Sequence, residues 1–172
     1  GWLPLYLFDT YGFGVEEIAT YAWVPYVGAM FGAWFGGILA GRLIKSGWTV
    51  NKTRKLVIAL GGLIMLVSLL LTIVAASPLI AVLLMAAILF GFQTAVGNIQ
   101  TLPSDFYSGK SVASLAGFAG TAAKLALVGL NFLIPVITVN SYAPAFAGGA
   151  GRAFMTVLSV LVLLPYLKPL HL

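Results

Sequence analysis

Apolar residues run along this chain in blocks long enough to cross a bilayer, and short clusters of turn residues separate the blocks. A helix needs roughly 20 apolar residues to span the hydrocarbon core. The pattern predicts the end of one span at about residues 1–12. Five fuller spans follow at about 16–45, 54–76, 79–102, 112–136 and 149–168. The breaks carry their own chemistry. Tyr11-Gly12-Phe13-Gly14 ends the first block, Ser46-Gly47-Trp48 through Lys55 separates the second from the third, and Ser77-Pro78 forms a tight turn. Pro103 to Lys110 is a polar loop, and Asn140 to Gly151 is rich in Gly, Ala and Pro.

Within the blocks, small and polar residues keep helical spacing. Gly28, Gly32, Gly36 and Ala40 repeat every four residues, a pattern that lets two helix backbones approach closely. Packing inside one bundle accounts for it more simply than dimerisation between chains. Pro25 removes a backbone donor and predicts a kink in the second block. Thr94, Asn98 and Thr101 share one stripe near the end of the fourth block, with Gln93, Gly97 and Gln100 on the adjoining stripe. Such groups in hydrocarbon need partners, which could be neighbouring helices or the hydroxyls of a polar solute.

The fifth block repeats Ser114, Gly117, Thr121, Lys124, Val128 and Asn131 on one face. Lys124 stands out. A charge at the middle of a span costs about 2.5–3.5 kcal/mol on insertion scales, so such residues face a bundle interior or a wet cavity. Snorkelling is disfavoured, because at 1.5 Å rise per residue the amine lies roughly 18 Å from the start of its span. No acidic residue lies in the core of a predicted span. The partner of Lys124 is then a ligand carboxylate, a segment outside this sequence, or none if the amine is neutral. Tyr6, Tyr21 and the tryptophans Trp2, Trp23 and Trp34 suit an interfacial belt. Tyr6 and Tyr21 flank the outer side and could stack on a sugar.

Composition narrows the class. Of the 172 residues, 61% are hydrophobic and 8% charged. The mean hydropathy is +1.07, far from a soluble chain. The sequence has no cysteine, which removes disulfides, thiolate metal sites and a cysteine nucleophile. It has one histidine, His171, in the tail. A membrane-embedded enzyme would need a convergent nucleophile, acid/base or metal cluster, and none is visible, so no enzyme, cofactor or metal site is expected.

The net charge of +5 does not point to nucleic acid, because the cations follow topology. Arg42, Lys45, Lys52, Arg54, Lys55, Lys110 and Lys168 fall on one side if the helices alternate, whereas Arg152 stands on the other with Asp9, Glu16 and Glu17. The positive-inside rule makes the rich side, and the C-terminus, cytoplasmic in an inner or plasma membrane. Gly1-Trp2-Leu3-Pro4 has no basic leader and no initiator methionine, so the sequence reads as an internal piece of a longer protein.

Several segments also resemble a known family. Trp2-Leu-Pro-Leu-Tyr-Leu-Phe, then Tyr11-Gly-Phe, Glu17-Ile-Ala and Ala22-Trp23-Val-Pro25, are similar to the seventh and eighth helices of hexuronate transporters, in the anion:cation symporter family of the major facilitator superfamily. Gly36-Gly37 to Arg42, Gly47-Trp48-Thr-Val-Asn51 and Arg54-Lys55 resemble the loop between helices eight and nine. Leu102-Pro-Ser-Asp105-Phe with Ser111-Val-Ala-Ser-Leu-Ala-Gly117 resembles the loop between helices ten and eleven.

The resemblance implies an all-α integral membrane fold: the C-terminal six-helix half of such a transporter, its first helix truncated, packed against a missing N-terminal half. It implies proton-coupled uptake (or Na+ coupling) of an anionic sugar acid by alternating access, with the solute between the halves. Family ligand positions map onto Gly97-Asn98, Gln100 and Thr121. Gln100 stands where a relative has Trp, Lys124 where a hexuronate transporter has an aromatic residue, and Gly41 where many relatives have an acid. Lys124 would attract the carboxylate, while Asn98, Gln100 and Thr121 bond hydroxyls. The rival expectation is a non-transporting membrane scaffold that oligomerises through its small-residue helix faces.

Overall fold

The structure, a computed structural model, describes residues 3–106, 110–137 and 143–163. Every regular element among them is a helix: α1 (Leu3–Tyr11), α2 (Val15–Tyr21), α3 (Val24–Lys45), α4 (Val50–Ile73), α5 (Pro78–Phe106), α6 (Lys110–Ile137) and α7 (Ala143–Leu163). The stretches Val15–Lys45, Val50–Ile73 and Pro78–Asp105 are each long and apolar enough to cross a membrane. The chain is a multi-pass membrane protein.

Local chemistry explains the boundaries. Gly12, at φ +68°, turns the chain out of α1. The Gly14 N–H then donates to the Glu17 carboxylate at 2.9 Å, which starts α2. The predicted second block is interrupted at Ala22–Trp23, where α2 ends and α3 begins. Pro25 therefore sits in the first turn of α3, where its missing N–H costs nothing, rather than mid-helix. Trp23 keeps helical dihedrals (φ −80°, ψ −24°), so the interruption is local.

Gly47, at φ +94°, closes α3. Its N–H reaches the Ile44 carbonyl at 3.1 Å, and the Trp48 N–H reaches Leu43 at 3.1 Å. Helix α4 starts at Val50, because the Thr49 hydroxyl accepts the Lys52 N–H at 3.4 Å and caps the helix before the apolar run begins. Helix α5 runs through Pro103 to Phe106. Hydroxyls there bond back to carbonyls of the same helix: Thr101 donates to Asn98 O at 2.8 Å and Ser104 to Thr101 O at 2.7 Å.

Three helices form the centre. Helix α5 packs along α3 on one side and along α4 on the other, and α7 packs on α4. The glycines set the register. Gly28 abuts the Ala86 backbone, Gly32 the Phe90 backbone and Gly36 the Thr94 backbone. Both sets of numbers rise together in steps of four, so α3 and α5 run parallel with their backbones nearly touching. A Cβ on Gly61 would lie 2.6 Å from the Gly91 carbonyl oxygen, and Gly91 in turn faces Met65. Positions 61 and 65 of α4 thus meet 95 and 91 of α5, which makes that pair antiparallel. On the other side of α4, Gly62 faces Val157 and Leu69 faces Gly149.

In a lipid environment this close van der Waals contact and the hydrogen bonds it allows replace the hydrophobic drive between helices. The stripe Gly28-Gly32-Gly36 is filled by α5, so it is not open to a second copy. Helix α6 differs: among the described residues it meets α5 and α7 only sparsely. Phe118 and Phe132 on it are 79% and 77% exposed.

Candidate functional site

The polar stripe of α5 lies against the glycine stripe of α3. The Thr94 hydroxyl sits 3.0 Å from Gly32 O and 2.9 Å from Phe90 O, and is fully buried. One turn on, the Asn98 amide nitrogen donates to Thr94 O at 3.0 Å and to Gly36 O at 3.4 Å. Two stripes of period four, one of glycines and one of hydrogen-bonding groups, therefore meet residue for residue. Glycine exposes its carbonyl, and Thr94 and Asn98 reach across to it.

The oxygen of Asn98 is also occupied. Arg54, in the first turns of α4, donates an N–H to it at 2.8 Å. The same guanidinium grips Asp105 near the end of α5, with Nε at 2.8 Å from Oδ2 and Nη2 at 3.4 Å from Oδ1. The two side chains are 15% and 19% exposed. One planar fork thus holds a carboxylate and an amide at once, tying α4 to α5 while Asn98 ties α5 to α3. Asn98, 3% exposed, is the node of a three-helix joint.

Sequence reasoning missed this pair. Arg54 counted among the topological cations and Asp105 marked a loop. A signal existed: Asp105 is the chain's one acid outside the stretch 9–17, and the expected alternation of spans puts it on the same side as the cations of 42–55. A solitary carboxylate in that setting is apt to be held.

The other candidates are dispersed. Gln100 is exposed on α5. Thr121 and Lys124 are exposed on α6. The Thr121 hydroxyl donates to Gly117 O of its own helix at 2.9 Å and so leaves its lone pairs open. Tyr6 is buried in the cluster of Leu7, Ala81 and Val82. Its ring stands edge-on to Tyr11 at 5.8 Å and to Phe146 at 5.2 Å, and both edges are occupied. The Tyr11 hydroxyl donates to Ala75 O at 2.9 Å, which pins α1 to the turn before α5.

Tyr21 is half-buried beside Phe13, with ring centroids 5.8 Å apart. It lines a cavity of about 210 Å³ together with Phe13, Ser77, Pro78, Leu79 and Val82. The structure thus separates three groups: a filled joint around Asn98, an exposed α6 face carrying Thr121 and Lys124, and an aromatic niche holding Tyr21 with Tyr6 behind it.

This architecture has known counterparts. The family model described as Major Facilitator Superfamily matches residues 1–130. The chain is 32% identical over 149 residues to the hexuronate transporter of Escherichia coli (strain K12), which covers 85% of this chain and 34% of that protein. It is 42% identical over 67 residues to the galacturonate transporter of Dickeya chrysanthemi, covering 38% of this chain and 19% of the relative. With the probable anion transporter 2, chloroplastic, of Oryza sativa subsp. japonica it shares 27% identity over 164 residues, 93% of this chain and 28% of that one. The chain spans about a third of the length of the E. coli relative it matches. Helices with these lengths and segments with this similarity lead to one assignment: the chain belongs to the Major Facilitator Superfamily.

Proposed function

We propose that this chain forms the C-terminal helix bundle of a secondary transporter that takes up a hexuronate or another sugar acid, coupled to protons, by alternating access against an N-terminal half. One observation carries the reading: the 32% identity to a hexuronate transporter runs over 149 residues, nearly the whole of this sequence. The local match to a galacturonate transporter supports the same class of solute.

The geometry suits division of labour. The α3–α4–α5 unit, locked by backbone contact and by the Arg54 fork, acts as one rigid body. Helix α6 brings the chemistry. Lys124 attracts the solute carboxylate, and Thr121 and Gln100 bond its hydroxyls. Asn98, buried in the three-helix joint, holds α5 in place behind them. Tyr21 presents a ring to the sugar from the outer cavity, and Tyr6 braces it from behind. The excess of Lys and Arg on one side favours a cytoplasmic C-terminus in an inner or plasma membrane.

The test is uptake of labelled glucuronate and galacturonate by cells that express the intact protein and lack their own hexuronate uptake, with and without a protonophore. Accumulation that collapses with the protonophore is expected. Correctly inserted protein that moves neither acid would overturn the assignment. Accumulation that ignores the protonophore but needs sodium would replace the coupling ion alone.

A further inference from the structure

The short hairpin between α3 and α4 concentrates positive charge. Between positions 42 and 55 the sequence carries Arg42, Lys45, Lys52, Arg54 and Lys55, more than half of the 9 basic residues, and no acid. Arg54 is matched by the carboxylate of Asp105. Arg42, Lys45 and Lys52 are all exposed. The turn is tight, closed by Gly47 and capped by Thr49, so the last turn of α3 and the first turn of α4 present these cations at one end of the bundle.

Two features make this patch more than scattered surface charge. The cations of α4 stand at the wrong end of their helix. A helix N-terminus carries partial positive charge and favours acids, yet the first turn of α4 contains none and includes Lys52. An external anion would relieve that repulsion. The patch also lies where two membrane spans, Val15–Lys45 and Val50–Ile73, end and begin. Trp48 is exposed between them, the position at which an indole sits among headgroups. Lipid phosphates are therefore the anions that this surface meets at highest local concentration.

We infer that the α3–α4 hairpin is a docking surface for anionic phospholipid headgroups, with Arg42, Lys45 and Lys52 receiving the phosphate. Clustered cations just outside a span bind anionic lipid through additive attraction that salt screens. The inference rests on α3 and α4 crossing the membrane and is independent of the solute carried.

The test uses the intact protein in detergent, titrated with phosphatidylglycerol, phosphatidylcholine or inorganic phosphate, with thermal unfolding and native mass spectrometry as readouts. Phosphatidylglycerol should raise the unfolding temperature and remain as adducts, phosphatidylcholine should do neither, and 1 M salt should erase the difference. In R42Q/K45Q/K52Q the affinity for phosphatidylglycerol should fall about a hundred-fold, at roughly one kcal/mol per cation. The charge-preserving R42K/K45R/K52R should respond as the wild type does. Equal stabilisation by both lipids, or a full response in the glutamine variant, overturns the proposal. So does reproduction of the effect by inorganic phosphate, which would mark an anion site rather than a lipid surface. If the glutamine variant does not fold, the salt series on the wild type decides alone. No solute enters the assay, so its outcome is separate from that of the uptake experiment.

Discussion

Helices α5 and α6 carry polar residues at the same helical spacing in comparably apolar surroundings, and the fold uses them in opposite ways. On α5, Thr94 and Asn98 are buried and turned onto glycine carbonyls of α3. On α6, Thr121 and Lys124 stand exposed on a helix that, among the described residues, touches its neighbours only sparsely. The difference is made elsewhere, by the partner helix. Where a neighbour offers a glycine stripe in register, polar groups become an interhelical joint. Where none does, the same chemistry stays open. A polar residue in a span is thus a demand for a partner, and only the packing reveals which partner answers.

The strongest way to break the contrast is to fill the α3–α5 seam. A Cβ on Gly32 runs into the Phe90 backbone, which cannot swing aside as a side chain can. Gly32→Leu should therefore exceed the usual 1–3 kcal/mol of an overpacked core and abolish monodisperse, folded protein on size exclusion. Gly37 has open space around it, so Gly37→Leu should leave thermal stability within about 0.5 kcal/mol. Equal damage from the two would mean that the seam does not hold the unit together.

The next largest effect sharpens the other side. Lys124→Met should lower hexuronate uptake by the intact protein about a hundredfold, a loss of roughly 2.7 kcal/mol in solute recognition, without changing expression or unfolding temperature. The sign of any stability change is diagnostic. A lysine facing lipid would be a burden of about 2.5–3.5 kcal/mol, so its removal would stabilise the protein and spare uptake. Uptake and stability together separate a wet face from a greasy one.

Between these extremes lies the Arg54 fork. Arg54→Ala leaves Asp105 and the Asn98 oxygen short of donors in a half-buried setting and should cost about 1–3 kcal/mol in thermal unfolding. Asp105→Ala should cost less, since Arg54 retains Asn98. The double variant should fall short of the sum by 0.5 kcal/mol or more, as expected for groups in one network. Strict additivity would show that the ion pair is incidental to the joint.

Much of the fold could be read from the chain, and the physical reason is plain for each part. Three spans follow from apolar length. The glycine stripe of α3 and the polar stripe of α5 were each visible as faces. Their mutual recognition was not, because a period of four fixes a face and says nothing of what lies against it. Arg54 and Asp105 stand 51 residues apart and meet only because α4 and α5 run antiparallel. Tyr6 reads as an outer aromatic, but Leu7, Ala81 and Val82 close around it once α1 lies on the start of α5. Pro25 reads as mid-span because apolar character runs across Trp23, where the helix itself is interrupted. The role of Lys124 depends on what covers α6, and among the described residues α5 and α7 supply that surface only sparsely.

The smallest expected effect is the most discriminating, because it compares one substitution in two places. Thr→Val keeps shape and removes a hydroxyl. At Thr94 the change removes the interhelical bond to the Gly32 carbonyl of α3, which should cost about 0.6 kcal/mol and at most about 1.7, the range for interhelical bonds in a membrane protein. At Thr121 the hydroxyl returns only to Gly117 of its own helix, a carbonyl that the α-helical ladder already serves. Thr121→Val should therefore move the unfolding temperature by no more than a few tenths of a kcal/mol. Any loss of uptake in that variant would then belong to the solute and not to the fold. If Thr121→Val instead destabilises as much as Thr94→Val, the α6 face is packed rather than open, and the distinction between the two helices fails at its weakest point.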